Sequence, residues 1–341
     1  MPRFGVQAAT FAQGCSRPAL LRAINATAHL GFDALEIPLL HPALEDAAAL
    51  RMAADRAGVR LLARTALPAR CSVIEHAERA RVFLGQVLRN AEALGAESVG
   101  GALLYTPGVP GPPLTPGDGA LLVEVLADLA DEAAARGLLL ALEPAHRFES
   151  RIVNSVVQAQ TLVHAVAADN LRLGLSTLQL HIGEASLAAA LRQAGGLLYS
   201  VRAAENTGGA IGTGAVQWAA LWRGLTDINY DGLLILDAPG ILHDAALPTF
   251  AAQINRLTTE MDVYPEEFAA QGLAFLQAGI AGKEPTAQHA APVKRKSPTK
   301  RSPRKSPPAQ PTAAEPSATA KPAPKAPAHT APRQGGSKTY R

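Results

Sequence analysis

Short apolar runs alternate with longer segments of helical period about eight times along the first 280 or so residues of this 341-residue chain. Strands that are each followed by a helix cross over to parallel neighbours, so this rhythm constrains the fold more than any other feature. The strands are expected at Phe4–Ala9, 34–37, Val59–Ala63, 98–103, the run LLAL opening at Leu139, Leu171–Leu175, Leu197–Ala203 and Leu233–Leu236. Ser16 is a candidate N-cap for a first helix that ends near Gly31, with Leu20, Leu21, Ile24 and Ala28 on one face. Further helices are expected near 46–57, 76–94, 119–136, 153–167, 186–194 and 217–228, with one or two more near 247–280. In the helix near 76–94, Val82, Phe83, Val87, Leu88 and Ala91 fall at core spacing. Gly100 and Gly101, inside a strand, suggest a close approach of backbone to a ligand or to a neighbouring strand. The expected fold class is α/β, a (β/α)8 TIM barrel over residues 1–285, since such barrels run to roughly 250 residues. A doubly wound open sheet is the alternative, but no glycine-rich phosphate fingerprint follows the first strand.

The overall charge of +3 conceals two unlike segments. Residues 291–341 hold twelve Lys or Arg against one acid, Glu315, a charge of +11, which leaves −8 on the rest. Residues 286–341, rich in Pro, Ala, Lys and Ser, have too little apolar surface to offset chain entropy and are expected to form a disordered basic tail. Within it KRKSPTKRSPRKSPP resembles the Ser-Pro-basic motifs of histone-like tails. Lys294, Arg295, Lys296, Lys300, Arg301, Arg304 and Lys305 would bind nucleic acid or another polyanion through counterion release, without reading sequence. A merely solubilising tail is the plainer reading. Two cysteines are too few for a disulfide framework. The start, MPRFGVQAATFAQG, reads as a first strand and not a signal peptide. With no long apolar run for a membrane, a cytoplasmic protein without membrane contact is expected, of undetermined oligomeric state.

Reacting groups of a TIM barrel sit at the C-terminal ends of its strands. Those positions carry Glu36 with His41 in the loop beyond, Tyr105, Glu143 with His146, Arg147 and Glu149, then Ser176, Thr177, Gln179 and His181, then Arg202, Glu205 and Asn206, and finally Asp237. Polar groups on so many strand ends are expected to converge on one pocket. Phe148 is a candidate pocket wall, whereas Trp218 and Trp222, four apart on a helix, suit packing.

The runs GFDALEI (31–37), GAESVGGALLY (95–105), LALEPAHRFE (140–149), LGLSTLQLHIGE (173–184), AAENTGGAIGTGAVQW (203–218) and INYDGLLILDAPG (228–240) resemble the xylose isomerase-like TIM barrels. Among these, the sugar isomerase/epimerase group with its tagatose- and psicose-type ketose 3-epimerases is the most similar. The resemblance implies a proton moved beside a carbonyl through an enediolate. It also implies a divalent cation, commonly manganese, held by two glutamates, an aspartate and a histidine. It places the first glutamate at Glu143 and a substrate-binding glutamate at Glu149, but the remaining positions depart. Ser176 stands for the aspartate, Gln179 for a following histidine, Arg202 for the ligand histidine, Gly208 near an expected arginine, and Asp237 for the second glutamate.

A guanidinium has no lone pair to offer a cation and stays protonated. The expectation is therefore a degenerate metal site (Glu143, Ser176, Arg202, Asp237) with no cofactor, manganese entering only if that site still binds metal. Arg202 is expected to pair with both Glu143 and Asp237. The favoured function is a ligand-binding or scaffold barrel, with Glu149, Glu36, Tyr105, Arg202, Glu205 and Gln179 about a small sugar-like ligand. The alternative is an active isomerase or epimerase in which Glu143 and Asp237 serve as base and acid.

Overall fold

The computed structural model describes residues 1–237 and 265–283, apart from residues 13, 41–43, 45, 110 and 112–113. Eight parallel strands close a barrel in sequence order: β1 (Arg3–Gln7), β2 (Ala34–Pro38), β3 (Arg60–Ala66), β4 (Ser98–Ala102), β5 (Leu139–Leu142), β6 (Leu171–Ser176), β7 (Leu198–Ala203) and β8 (Leu233–Leu236), with β8 hydrogen-bonded back to β1. This is the TIM barrel that the alternation predicts. Around it stand α1 (Arg17–Leu30), α2 (Ala47–Ala57), α3 (Val73–Leu94), α4 (Pro116–Ala134), α5 (Val156–Val166), α6 (Thr177–Gly183), α7 (Leu187–Ala194), α8 (Trp218–Asp227) and α9 (Pro265–Ile280). Residues 247–264 of the last expected helical region, His41 and the basic tail lie outside the described residues. Among the described residues no helix is long and apolar enough to cross a membrane.

Two sets of side chains alternate along each strand. One set, including Val6, Leu35, Ile37, Leu61, Ala63, Leu140, Leu142, Leu173, Leu175, Val201, Ala203, Leu234 and Leu236, joins the large core between barrel and helices. Each leucine or valine fully buried there contributes about 1.5–3 kcal/mol. The other set points into the barrel, where Ala34, Leu62, Leu233 and Ile235 form a separate small cluster. The interior positions above this floor are often small. A Cβ on Gly174 would already touch Ser200 Oγ at 3.3 Å and Ala141 Cβ at 3.4 Å, and one on Gly100 would meet Ala141 Cβ at 3.4 Å. Small residues low in the barrel leave room for long charged side chains at its mouth.

Three local expectations need correction. Strand β3 runs on to Ala66, three residues past the expected end. Its extension is hydrogen-bonded on both sides: Leu39 N donates to Arg64 O at 2.7 Å, and Thr65 Oγ1 donates to Leu39 O at 2.7 Å. On the other side Arg64 and Thr65 lie in register with Gly100 and Gly101. Gly101 has φ +104°, and a Cβ there would lie 2.3 Å from Thr65 O, so the close approach is to a neighbouring strand. Val82 is exposed on α3, whose buried face is Ala80, Phe83, Leu84, Val87, Leu88 and Ala91. The short helix α6 was not expected; it begins directly at the end of β6.

Candidate active site

Counting by twos from the barrel floor brings Glu36 above Ala34, Arg64 above Leu62, Glu143 above Ala141, Ser176 above Gly174, Arg202 above Ser200 and Asp237 above Ile235. Strand alternation therefore turns six strand ends inward at the C-terminal mouth of the barrel. Two guanidinium groups organise them. Arg202 Nη1 donates to Glu36 Oε2 at 2.5 Å, and its Nη2 pairs with Asp237 Oδ2 at 2.7 Å. Arg64 donates to both carboxylate oxygens of Glu143, through Nη1 to Oε2 and through Nη2 to Oε1 at 3.3 Å. Such fork-to-carboxylate pairing is the strongest geometry available to a guanidinium.

The pairing differs in one half from the expectation. Arg202 meets Asp237, but its second partner is Glu36, and Glu143 belongs to Arg64. An expected strand end at Ala63 leaves Arg64 outside the site, whereas β3 runs on to Ala66. The signal lay in the parity of LLART, where Arg64 stands two residues after the inward Leu62.

Burial and these cations act against each other on the acids. Burial pushes Glu143 up, but Arg64 and Arg202 overcome it and hold its carboxyl below the usual glutamate range. At Glu36 burial prevails over Arg202 and Arg64, and its pKa is raised. Glu149 is raised as well, by burial and by the neighbouring charge of Glu143. Tyr105 is 3% exposed, its hydroxyl faces Glu143 O at 3.5 Å, and burial raises its pKa well above the ordinary value. The site thus contains one acid whose pKa is lowered and two whose pKa values are raised, all within the field of Arg64.

Other expected site residues serve mainly as fasteners. Glu205, 1% exposed, accepts from Asn206 N at 3.0 Å, Gly212 N at 2.9 Å, Val216 N at 3.1 Å and Trp218 Nε1 at 2.9 Å. It ties down the loop after β7. Gln179 Oε1 accepts from His146 N at 2.7 Å, joining α6 to the loop after β5. Thr177 Oγ1 donates to Ala204 O at 2.6 Å and accepts from Ala204 N at 2.8 Å, which links the ends of β6 and β7. Phe148, the expected pocket wall, stands 71% exposed, its ring in a T-shaped contact with buried His146 at 5.9 Å between centroids. Trp218 and Trp222 stack at 5.8 Å and both pack against Phe275 of α9, in keeping with a packing role.

Residues 24–270 match the xylose isomerase-like TIM barrel family, and the chain belongs to it. Among similar proteins, an L-ribulose 3-epimerase of Mesorhizobium japonicum is 28% identical over 234 residues, 67% of this chain and 79% of that one. A D-psicose 3-epimerase of Agrobacterium fabrum is 31% identical over 224 residues, 63% and 77% of the two chains. A solved L-ribulose 3-epimerase structure has a TM-score of 0.74 at 26% identity, covering 83% of this chain and 95% of that chain. A D-allulose 3-epimerase of Methylomonas sp. in complex with D-allulose has a TM-score of 0.72 at 25% identity, covering 81% and 96%.

The divalent cation implied by the family resemblance can be tested against the donors present. Of the four corresponding positions, Ser176 carries a neutral hydroxyl, Arg202 carries a cation, and Glu143 and Asp237 are each bound to a guanidinium. Among the described residues no group of three or more His, Cys, Asp or Glu side chains is arranged to hold a metal ion. This donor set does not fit a resident divalent cation, because the Arg202 guanidinium stands where a lone pair is needed and both carboxylates are already paired.

Proposed function

We propose that this chain is a divergent sugar-epimerase-family barrel that binds a small polyhydroxylated carbonyl compound, such as a keto sugar, and acts as a ligand-binding or scaffold protein. The family and the named 3-epimerase relatives support the ligand class. The observation that supports a non-catalytic role is the Arg202 bridge between Glu36 and Asp237 at the position of the implied ligand histidine. A proton shuttle needs one carboxylate free to take a proton and another free to return it. Here both expected acid–base groups, Glu143 and Asp237, are held by guanidinium groups. Glu36, Tyr105 and Glu149 complete the ligand side of the mouth, while Glu205 and Gln179 shape it through the loops they fasten.

One observation favours an active epimerase as the second reading: Arg64 and Arg202 hold the Glu143 carboxyl below the usual glutamate range, which favours the ionised form that a base requires. In that reaction Glu143 removes the proton from the carbon beside the carbonyl and Asp237 returns one to the opposite face. Arg202 stabilises the oxyanion between the two steps. Incubation with a panel of ketoses in heavy water separates the readings. Saturable ketose binding without exchange of the carbon-bound hydrogen is expected; exchange beside the carbonyl would establish the second reading.

The basic tail supports a further partner. Its seven clustered cations, Lys294 to Lys305, suit a nucleic acid or another polyanion and would tether an acidic barrel to it.

A further inference from the structure

We propose that Arg64 and Arg202 together replace a divalent cation in this barrel, so that the site is complete without metal and Arg64 is the residue that withholds Glu143 from one. This extends the ligand-binding reading above from Arg202 alone to a pair. The charge count is the first support. Two guanidinium groups bring the same two positive charges as one divalent ion, and three carboxylates, Glu36, Glu143 and Asp237, receive them. Without such cations, these acids would repel one another in a site that buries Glu36 and Glu143 to 5% and 3% exposure.

Geometry is the second support. Arg202 grips β2 and β8, whereas Arg64 grips β5, so the pair spans the mouth from both sides. Both oxygens of Glu143 are occupied by Arg64. A cation reaching Glu143 would have to displace a two-pronged ion pair and then sit beside a fixed positive charge. The backbone around Arg64 is built for this placement. Thr65 and Leu39 fix the strand extension, and the bare Gly101 admits the arginine, since a Cβ there would lie 3.1 Å from Arg64 Cγ. Arg64 keeps 24% of its side chain exposed, against 4% for Arg202, so it is the member at the solvent side of the mouth.

The test is a manganese titration of the full, metal-stripped chain, read by loss of the free-ion electron paramagnetic resonance signal. Wild-type protein is expected to bind no stoichiometric manganese. Arg64→Met with Arg202→His, which frees Glu143, Glu36 and Asp237 and adds an imidazole, is expected to bind it at least tenfold more tightly than wild type. Stoichiometric manganese on the wild type would overturn the proposal, as would a folded double variant that binds no better than wild type. If the double variant does not fold, the wild-type titration and Arg64→Met alone decide it: unchanged binding in folded Arg64→Met refutes the role of Arg64. No ketose enters the measurement, so failure of the sugar-binding reading and failure of this one are seen separately.

Discussion

Arg202 and Glu36, 166 positions apart in the chain, meet at 2.5 Å across the mouth of the barrel, both almost fully buried. Removing one member of such a buried pair leaves the other without its direct partner, which typically costs about 3–5 kcal/mol. Arg202→Met is therefore expected to lower unfolding stability by about that amount. The double variant Glu36→Gln with Arg202→Met should recover part of the loss, a coupling of at least about 1 kcal/mol in a double-mutant cycle of urea unfolding. Strict additivity of the two changes would show that the pair is not coupled.

The acids of the site predict two opposing limbs in the dependence of stability on pH. Glu36 is raised in the folded state, so between the ordinary glutamate value and its raised value the folded protein holds more protons, and stability falls as pH rises. Glu143 is lowered, so its contribution is present above the ordinary value and is lost as pH falls through its folded pKa. Urea unfolding from neutral to acid pH should show the first limb vanish in Glu36→Gln and the second in Glu143→Gln. Retention of both limbs in both variants would place their origin elsewhere.

Glu205 fastens three backbone N–H groups and the Trp218 indole. Glu205→Ala should cost about 2–4 kcal/mol, because several donors lose a charged acceptor together. The tryptophan emission should shift to the red as the Trp218 environment opens. A stable variant with unchanged emission would mean that the loop is held by other contacts.

Truncation after residue 285 tests the tail. The shortened protein should keep the circular dichroism spectrum and unfolding midpoint of the full chain and lose salt-sensitive retention on DNA, whose slope with salt reports the phosphate charges neutralised. Equal retention of both proteins would assign the binding to the barrel.

Substitution at Gly101 probes the seat of Arg64. Gly101→Ala forces a Cβ to within 2.3 Å of Thr65 O at a positive φ, and should destabilise by at least about 1–3 kcal/mol. Arg64→Met measured in the same background should then cost less than in wild type, since its placement is already disturbed. Full additivity would separate the glycine from the arginine.

The sequence by itself determined the barrel and most of its rim. Eight alternating apolar and helical segments admit few folds, because each strand must bury one face under its helix and turn the other into the barrel. Glu36, Glu143, Arg202 and Asp237 were legible as strand ends for that reason. Val82 was misread because one apolar residue beside a true core stripe carries no sign of which side it faces, and α6 was too short to show a period. Only the tertiary structure decided who pairs with whom. Arg64 lies on a polar strand extension that β2 and the glycines of β4 hold in place, and neither is its neighbour in sequence. Which carboxylate a guanidinium takes depends on distances across a closed ring of strands, where partners 79 and 166 residues apart compete within a few ångströms. Side-chain types along the chain name the competitors, and barrel closure selects the pairs.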